Sequence, residues 1–259
     1  MKKTGFTLAE VLITLGIIGV VAALTTPSLV NNIGDAKLGP SLSKFNNTFS
    51  NAVALAMERS GITQFHSNSI ALLTEIGLLS NHIIMVPYEG TYTFTDAIGT
   101  NLKNVESNSR TWQNYLDTQA NPNHTQAQLD AIAAQLEGTP IVNRLNNGSV
   151  MVIVPINNAV SEVNGVFKGA VAEVLIDIDG DDNGNNRAGA DVFGFLLDAS
   201  GVLIPAGSAA HKYVNQSGPT YIGNYTDQCN NGVGDLQRNF ACTGRIADNN
   251  WSTKGISLE

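Results

Sequence analysis

The stretch Met1-Lys2-Lys3-Thr4-Gly5-Phe6-Thr7-Leu8-Ala9-Glu10, continuing VLITLGIIGVVAALTTPSLVNNIG to Gly34, decides how the rest of the chain is read. Two lysines come first, Glu10 is the next charged residue, and from Val11 to Gly34 there is none. About 20 apolar residues suffice for a helix to cross the hydrocarbon layer, so a span over about residues 8–30 is expected. Lys2 and Lys3 would hold its N-terminal end in the cytoplasm, which puts the remainder on the far side. A carboxylate one turn into such a helix costs roughly 2.5–3.5 kcal/mol at mid-membrane, so Glu10 calls for a partner or a place near the headgroups.

In an ordinary secretory signal the small-residue processing site follows the apolar run, which is then discarded. Here the small residue, Gly5, precedes it. KKTGFTLAEVLITLGIIGVVAAL closely resembles the leader of type IV prepilins and of type II secretion pseudopilins, over roughly residues 2 to 30. The resemblance implies cleavage between Gly5 and Phe6 by a membrane-embedded prepilin peptidase and methylation of the new N-terminus at Phe6. Glu10 takes the place of the family's fifth-position glutamate, and in a filament it would neutralise the Phe6 amine of a neighbouring subunit. The implied partners are further copies of the chain or other pilins, together with the inner-membrane assembly machinery. Before assembly the chain would sit in the bacterial inner membrane, and afterwards in a pilus or pseudopilus between periplasm and cell surface.

The implied organisation is a leader over 1–5, a helical stalk over 6–59, membrane-spanning at about 8–30 and amphipathic at about 41–59, and an extracytoplasmic head over 60–259. Pro27 lies 22 residues after Gly5, where type IV pilins often carry a proline, and it predicts a kink or local melting. Two glycines and a proline in Gly34-Asp35-Ala36-Lys37-Leu38-Gly39-Pro40 predict an interruption of the stalk. Beyond it Leu38, Leu42, Phe45, Phe49, Val53 and Ala56 recur at helical spacing, a narrow apolar stripe expected to lie on the sheet of the head. The helix is expected to end at Glu58-Arg59-Ser60-Gly61.

After residue 60 there are nine Lys and Arg against 19 Asp and Glu, a formal charge of −10. That excludes nucleic-acid wrapping by the head, which needs clustered cations, and suits an extracytoplasmic surface that binds cations. Residues 69–79 read as a short helix, Tyr88 to Phe94 as a strand, and Thr125 to Leu136 as helical, with Trp112 and Tyr115 as core residues. From Gly148 onward strands dominate: SVMVIVP over 149–155, GVFKGAVAEVLIDI over 165–178 and DVFGFLL over 191–197, followed by strand, turn and strand end to Gly207. A long helix followed by hairpin-connected strands predicts an α+β fold, a stalk helix packed on an antiparallel sheet.

The loop between the second and third strands holds Asp177, Asp179, Asp181, Asn183, Asn185 and Asp191. Alternating Asp and Asn with glycine at Gly184 are the hard oxygen ligands that calcium prefers. The loop is not an EF-hand, since Ala190 stands at the twelfth position and strands flank it. A calcium loop and a solvated Asx-type turn are both open from the residues. Gly189-Ala-Asp191-Val-Phe193 also resembles the end of an element of pilin-like proteins, D-x-N-G followed by P-N-x-x-G-x-D-x-F, although no proline is present.

Cys229 and Cys242 are the only cysteines. On the exported side of a membrane an isolated pair is expected to form a disulfide, worth roughly 3 kcal/mol for a loop of this length in the chain-entropy model. The histidines, His66, His82, His124 and His211, show no metal-ligand spacing. No nucleophile elbow, phosphate-binding glycine loop or zinc-protease motif occurs, so the expected function is structural and not enzymatic. An anchored extracytoplasmic binding protein or adhesin that never polymerises is the second expectation.

Overall fold

The computed structural model describes residues 7–66, 74–90, 92–94, 103–105, 140–155, 170–180, 186–208, 229, 236–256 and 258. Helix α1 runs unbroken from Leu8 to Ser60, 53 residues, which at 1.5 Å per residue is about 80 Å. It closes on Gly61 in the left-handed conformation (φ 67°), where the Gly61 N–H bonds Glu58 and Met57 and the Ile62 N–H bonds Met57 again. This is the ending expected from the sequence.

The interruption expected over 34–40 does not occur, because α1 continues through Pro27 and Pro40. An interior proline costs a helix about 3 kcal/mol. At Pro40 that cost is offset by the neighbours it carries into the core, Leu38 and Leu42, each worth about 1.5–3 kcal/mol when buried. Gly39 has a separate reason to be glycine. A methyl group there would lie 1.9 Å from the carbonyl oxygen of Trp251, so only a bare Cα lets the C-terminal turn rest on the helix.

Six strands make one antiparallel sheet: β1 (Met85–Pro87), β4 (Ile141–Leu145), β5 (Val150–Pro155), β6 (Ala170–Asp177), β7 (Val192–Asp198) and β8 (Leu203–Pro205), in that spatial order. A separate ribbon pairs β2 (Tyr92–Phe94) with β3 (Lys103–Val105). The architecture is α+β, as expected. One face of the sheet, through Met151, Ile153, Val174, Ile176, Phe193, Phe195 and Leu197, buries the apolar stripe of α1, where Leu42, Phe49 and Val53 are fully covered. Phe45 locks the contact, its ring 5.4 Å from Phe195 and 5.6 Å from Phe49.

The strands read at 149–155, 165–178 and 191–197 are β5, β6 and β7, with residues 165–169 outside the described set. Tyr88 to Phe94 is not one strand. Pro87 ends β1 with no N–H to continue a ladder, Gly90 turns at φ 104°, and β2 begins at Tyr92. Helical residues 74–77 and a 3-10 turn at Leu78–Asn81 realise the described part of the expected 69–79 helix. The expected helix over 125–136 and the core positions Trp112 and Tyr115 lie outside the described residues.

Nor do strands persist to the C-terminus. Leu236–Asp248 forms a helix, α2, against β7 and β8. Its Thr243 hydroxyl accepts the Gly194 N–H of β7 at 3.0 Å, beyond the reach of the short β8. Gly244 lets it seat, since a Cβ there would meet the Ser208 nitrogen at 2.0 Å.

Glu173 of β6 is buried between its cross-strand partners Val154 and Leu196, and its Oε2 has no hydrogen-bond partner among the described residues. Burial pushes its carboxyl up from 4.5 to about 8. The folded chain therefore holds a proton there that the unfolded chain releases, and stability falls as pH rises from about 4.5 to about 8.

Two outcomes follow, read by melting of the detergent-solubilised protein. Gly39→Ala, despite the better helix propensity of alanine, loses about 1–3 kcal/mol by overpacking, while Gly19→Ala, with nothing within 4 Å, loses none. Glu173→Gln flattens the decline between pH 5 and 8, matching the wild type near pH 5 and exceeding it by several kcal/mol near pH 9.

Candidate functional site

At the N-terminal end, Thr7 caps α1 and Glu10 answers it. The Thr7 hydroxyl accepts the Glu10 N–H at 3.3 Å, and Glu10 Oε2 accepts both the Thr7 N–H and its hydroxyl at 2.8 Å. This capping box satisfies donors that a helix start leaves open, and it places the carboxylate at the positive end of the helix dipole. The Thr7-x-x-Glu10 spacing ahead of an apolar run was the available signal for it. Gly5 and Phe6 lie outside the described residues.

From Leu8 to Leu24 the apolar side chains stand bare on every side of the helix: Leu12 is 61% exposed, Ile13 63%, Ile17 60% and Leu24 75%. A helix that is hydrophobic all round requires an apolar surrounding, whether lipid or other helices. Among the described residues no helix is long and apolar enough to cross a membrane. The side chains described here end at Leu24, so the span expected over 8–30 extends past them.

The acidic loop is partly described. Asp177, at the end of β6, is 1% exposed; its Oδ2 accepts the Tyr92 hydroxyl at 2.8 Å and its Oδ1 the Gly180 N–H at 3.0 Å. Burial pushes Asp177 up to about 7, and Asp179 adds to this by hydrogen bond and by charge. Asp191 is raised by burial and by the charge of Asp179, and accepts the Arg187 N–H at 3.3 Å. Asp179 is thus the neighbour that acts on both Asp177 and Asp191. Asp181, Asn183 and Asn185 lie outside the described residues. Among the described residues no three His, Cys, Asp or Glu side chains form a group that could hold a metal ion.

The sequence reading missed Tyr92, whose hydroxyl arrives from 85 residues away. Asn186 ties the same loop to β2, donating to the Thr93 carbonyl at 2.9 Å. Cys229 and Cys242 are joined in a disulfide, both residues within the core, so the bridge anchors α2. Arg245 adds a bond from its guanidinium to the Cys229 carbonyl.

Residues 1–26 match the family model described as the prokaryotic N-terminal methylation motif. The chain begins with a prepilin-type leader. That motif is the leader of type IV pilins and pseudopilins, and it supports a pilin-like or pseudopilin-like precursor. Comparisons with curated proteins and with solved structures gave no match.

Tyr92→Phe removes a bond to a buried acid and costs about 1–3 kcal/mol in urea unfolding. Because the Tyr92 bond holds the Asp177 acid down, the loss is larger near pH 9 than near pH 5.

Proposed function

We propose that this chain is a structural subunit, not an enzyme, of a type IV pilus or type II secretion pseudopilus. The observation that carries the reading is the methylation motif at residues 1–26, within which α1 begins and stands with bare apolar side chains on all sides. In this reading residues 8–30 store the subunit in the inner membrane with the N-terminus in the cytoplasm. Cleavage after Gly5 frees the Phe6 nitrogen, which is then methylated. The peptidase and the inner-membrane assembly machinery are its processing partners, and other copies or other pilins its filament partners.

Glu10 then has two tasks that use different oxygens. Oε2 is held by Thr7 of its own chain, and Oε1, bonded by no described residue, accepts from the Phe6 amine of the next subunit. A desolvated ion pair of this kind fixes axial register between otherwise featureless apolar helices. The head, with its formal charge of −10 and no cationic cluster, forms the filament surface.

A calcium ion in the 177–191 loop belongs to the same proposal. The charge of Asp179 already opposes ionisation of Asp177 and of Asp191, and a cation bound by these three with Asp181, Asn183 and Asn185 would relieve that. The ion would stiffen the β6–β7 connection in the oxidising, calcium-containing exterior.

N-terminal mass analysis of sheared surface material and of membranes is expected to find a chain starting at Phe6 and heavier by one methyl group. A start at Met1, or beyond residue 24, would overturn the filament reading. Glu10→Ala is expected to abolish filaments while leaving the protein in the membrane; persistence of filaments would instead favour an anchored receptor. Added calcium is expected to raise the melting temperature of the wild type but not of Asp179→Asn, and a chelator to reverse it.

A further inference from the structure

The chain contains Asn-x-Ser/Thr tripeptides at Asn46, Asn123, Asn147, Asn215, Asn224 and Asn250. Such a tripeptide is an acceptor for N-linked saccharides only where the asparagine is accessible in irregular backbone. Asn46 sits within α1, its Oδ1 buried. At Asn147 the amide oxygen accepts the Ser149 N–H at 3.2 Å, while the Ser149 hydroxyl, 2% exposed, donates to the Ile178 carbonyl at 2.8 Å. Both groups of that tripeptide are therefore engaged. Asn123, Asn215 and Asn224 lie outside the described residues.

Asn250-Trp251-Ser252 differs on each count. It follows the end of α2, and Asn250 is exposed with φ 54°, a left-handed turn that asparagine tolerates. Among the described residues no hydrogen bond engages the Asn250 side chain; the local backbone is held by its neighbour Asn249, whose amide donates to the Ser252 and Lys254 carbonyls. The Ser252 hydroxyl only accepts, from the Lys254 N–H at 3.3 Å, so its own proton is uncommitted. Exposed Asp248 stands two residues before the acceptor, where Asn46 has Lys44 and Asn147 has Leu145.

We propose that Asn250 is a site of N-linked glycosylation, taking a saccharide from a polyprenyl-diphosphate-linked donor on the extracytoplasmic side of the membrane. The inference rests on the export of the head proposed above. In the transfer, the Asn250 Nδ2 forms a bond to the anomeric carbon of the saccharide. The bond from that carbon to the phosphate oxygen breaks, polyprenyl diphosphate leaves with its electron pair, and an amide proton passes to a base of the transferase. Once folded, the exposed position of Asn250 keeps the saccharide on the surface.

Trypsin cuts after Arg245 and Lys254, so the site falls in one short peptide, 246–254. Electron-transfer mass spectrometry of that peptide, from the protein isolated from its native cells, is expected to show an intact saccharide on Asn250. The saccharide is expected to be absent from Ser252→Ala, which keeps Asn250 in its turn. Finding peptide 246–254 only unmodified in a chain whose N-terminus is methylated Phe6 would overturn the glycosylation while leaving the pilin reading intact. An unmodified peptide in a chain still starting at Met1 would overturn both. A saccharide that persists in Ser252→Ala would overturn the tripeptide as the acceptor signal.

Discussion

Everything in the head leans on the contact between the C-terminal half of α1 and one face of the sheet. Leu42, Phe45, Phe49 and Val53 are covered only because Met151, Val174, Ile176, Phe193 and Phe195 present a complementary apolar surface. Neither partner is stable alone: an isolated helix is marginal in water, and a sheet with an open apolar face aggregates. The contact also explains why α1 tolerates Pro40, since the docked helix has more burial to lose by breaking than it has strain to relieve.

Around this contact the C-terminal segment acts as a clamp. Helix α2 takes up the Gly194 N–H that β8 is too short to pair, the Cys229–Cys242 bridge fixes it in the core, and the turn after it closes on Gly39. The second face of the sheet is organised differently, by aromatic contacts and buried acids. Tyr92 and Phe94 stack at 6.2 Å, Phe94 meets Phe240 of α2 at 6.0 Å, and Tyr92 reaches Asp177. One face thus holds the stalk and the other holds the acidic loop, with β6 contributing to both.

Periodicity made the stalk legible, and composition the central strands. The stripe from Leu38 to Ala56 repeats at helical spacing, so its buried face could be named in advance, while the runs at 149–155 and 191–197 stood out by their β-branched and aromatic residues between turns. What failed was the reading of glycine and proline as breakers. Gly39 is a notch for another segment's carbonyl, and Gly244 does the same inside α2, a role no local pattern announces. Helix α2 itself was hidden because its glycine, threonine and cysteine weaken helix propensity, and tertiary contact overrides that. The bond from Tyr92 to Asp177 joins residues too far apart in sequence for any spacing rule. At the N-terminus, by contrast, leader and helix are encoded by adjacent residues, and the family match covers that same stretch.

The uninterrupted course of α1 has a mechanical consequence. A break at residues 34–40 would have made a hinge, letting the head swivel on a flexible neck. A continuous helix of 53 residues instead makes the bare apolar end and the docked end parts of one lever. A pull on the head would then load the interface with the sheet in shear, spread over the side chains from Leu42 to Val53, and would reach the N-terminal end through the helix hydrogen bonds without slack. The position of Glu10 and the attitude of the head are thereby coupled by the stiffness of the chain itself.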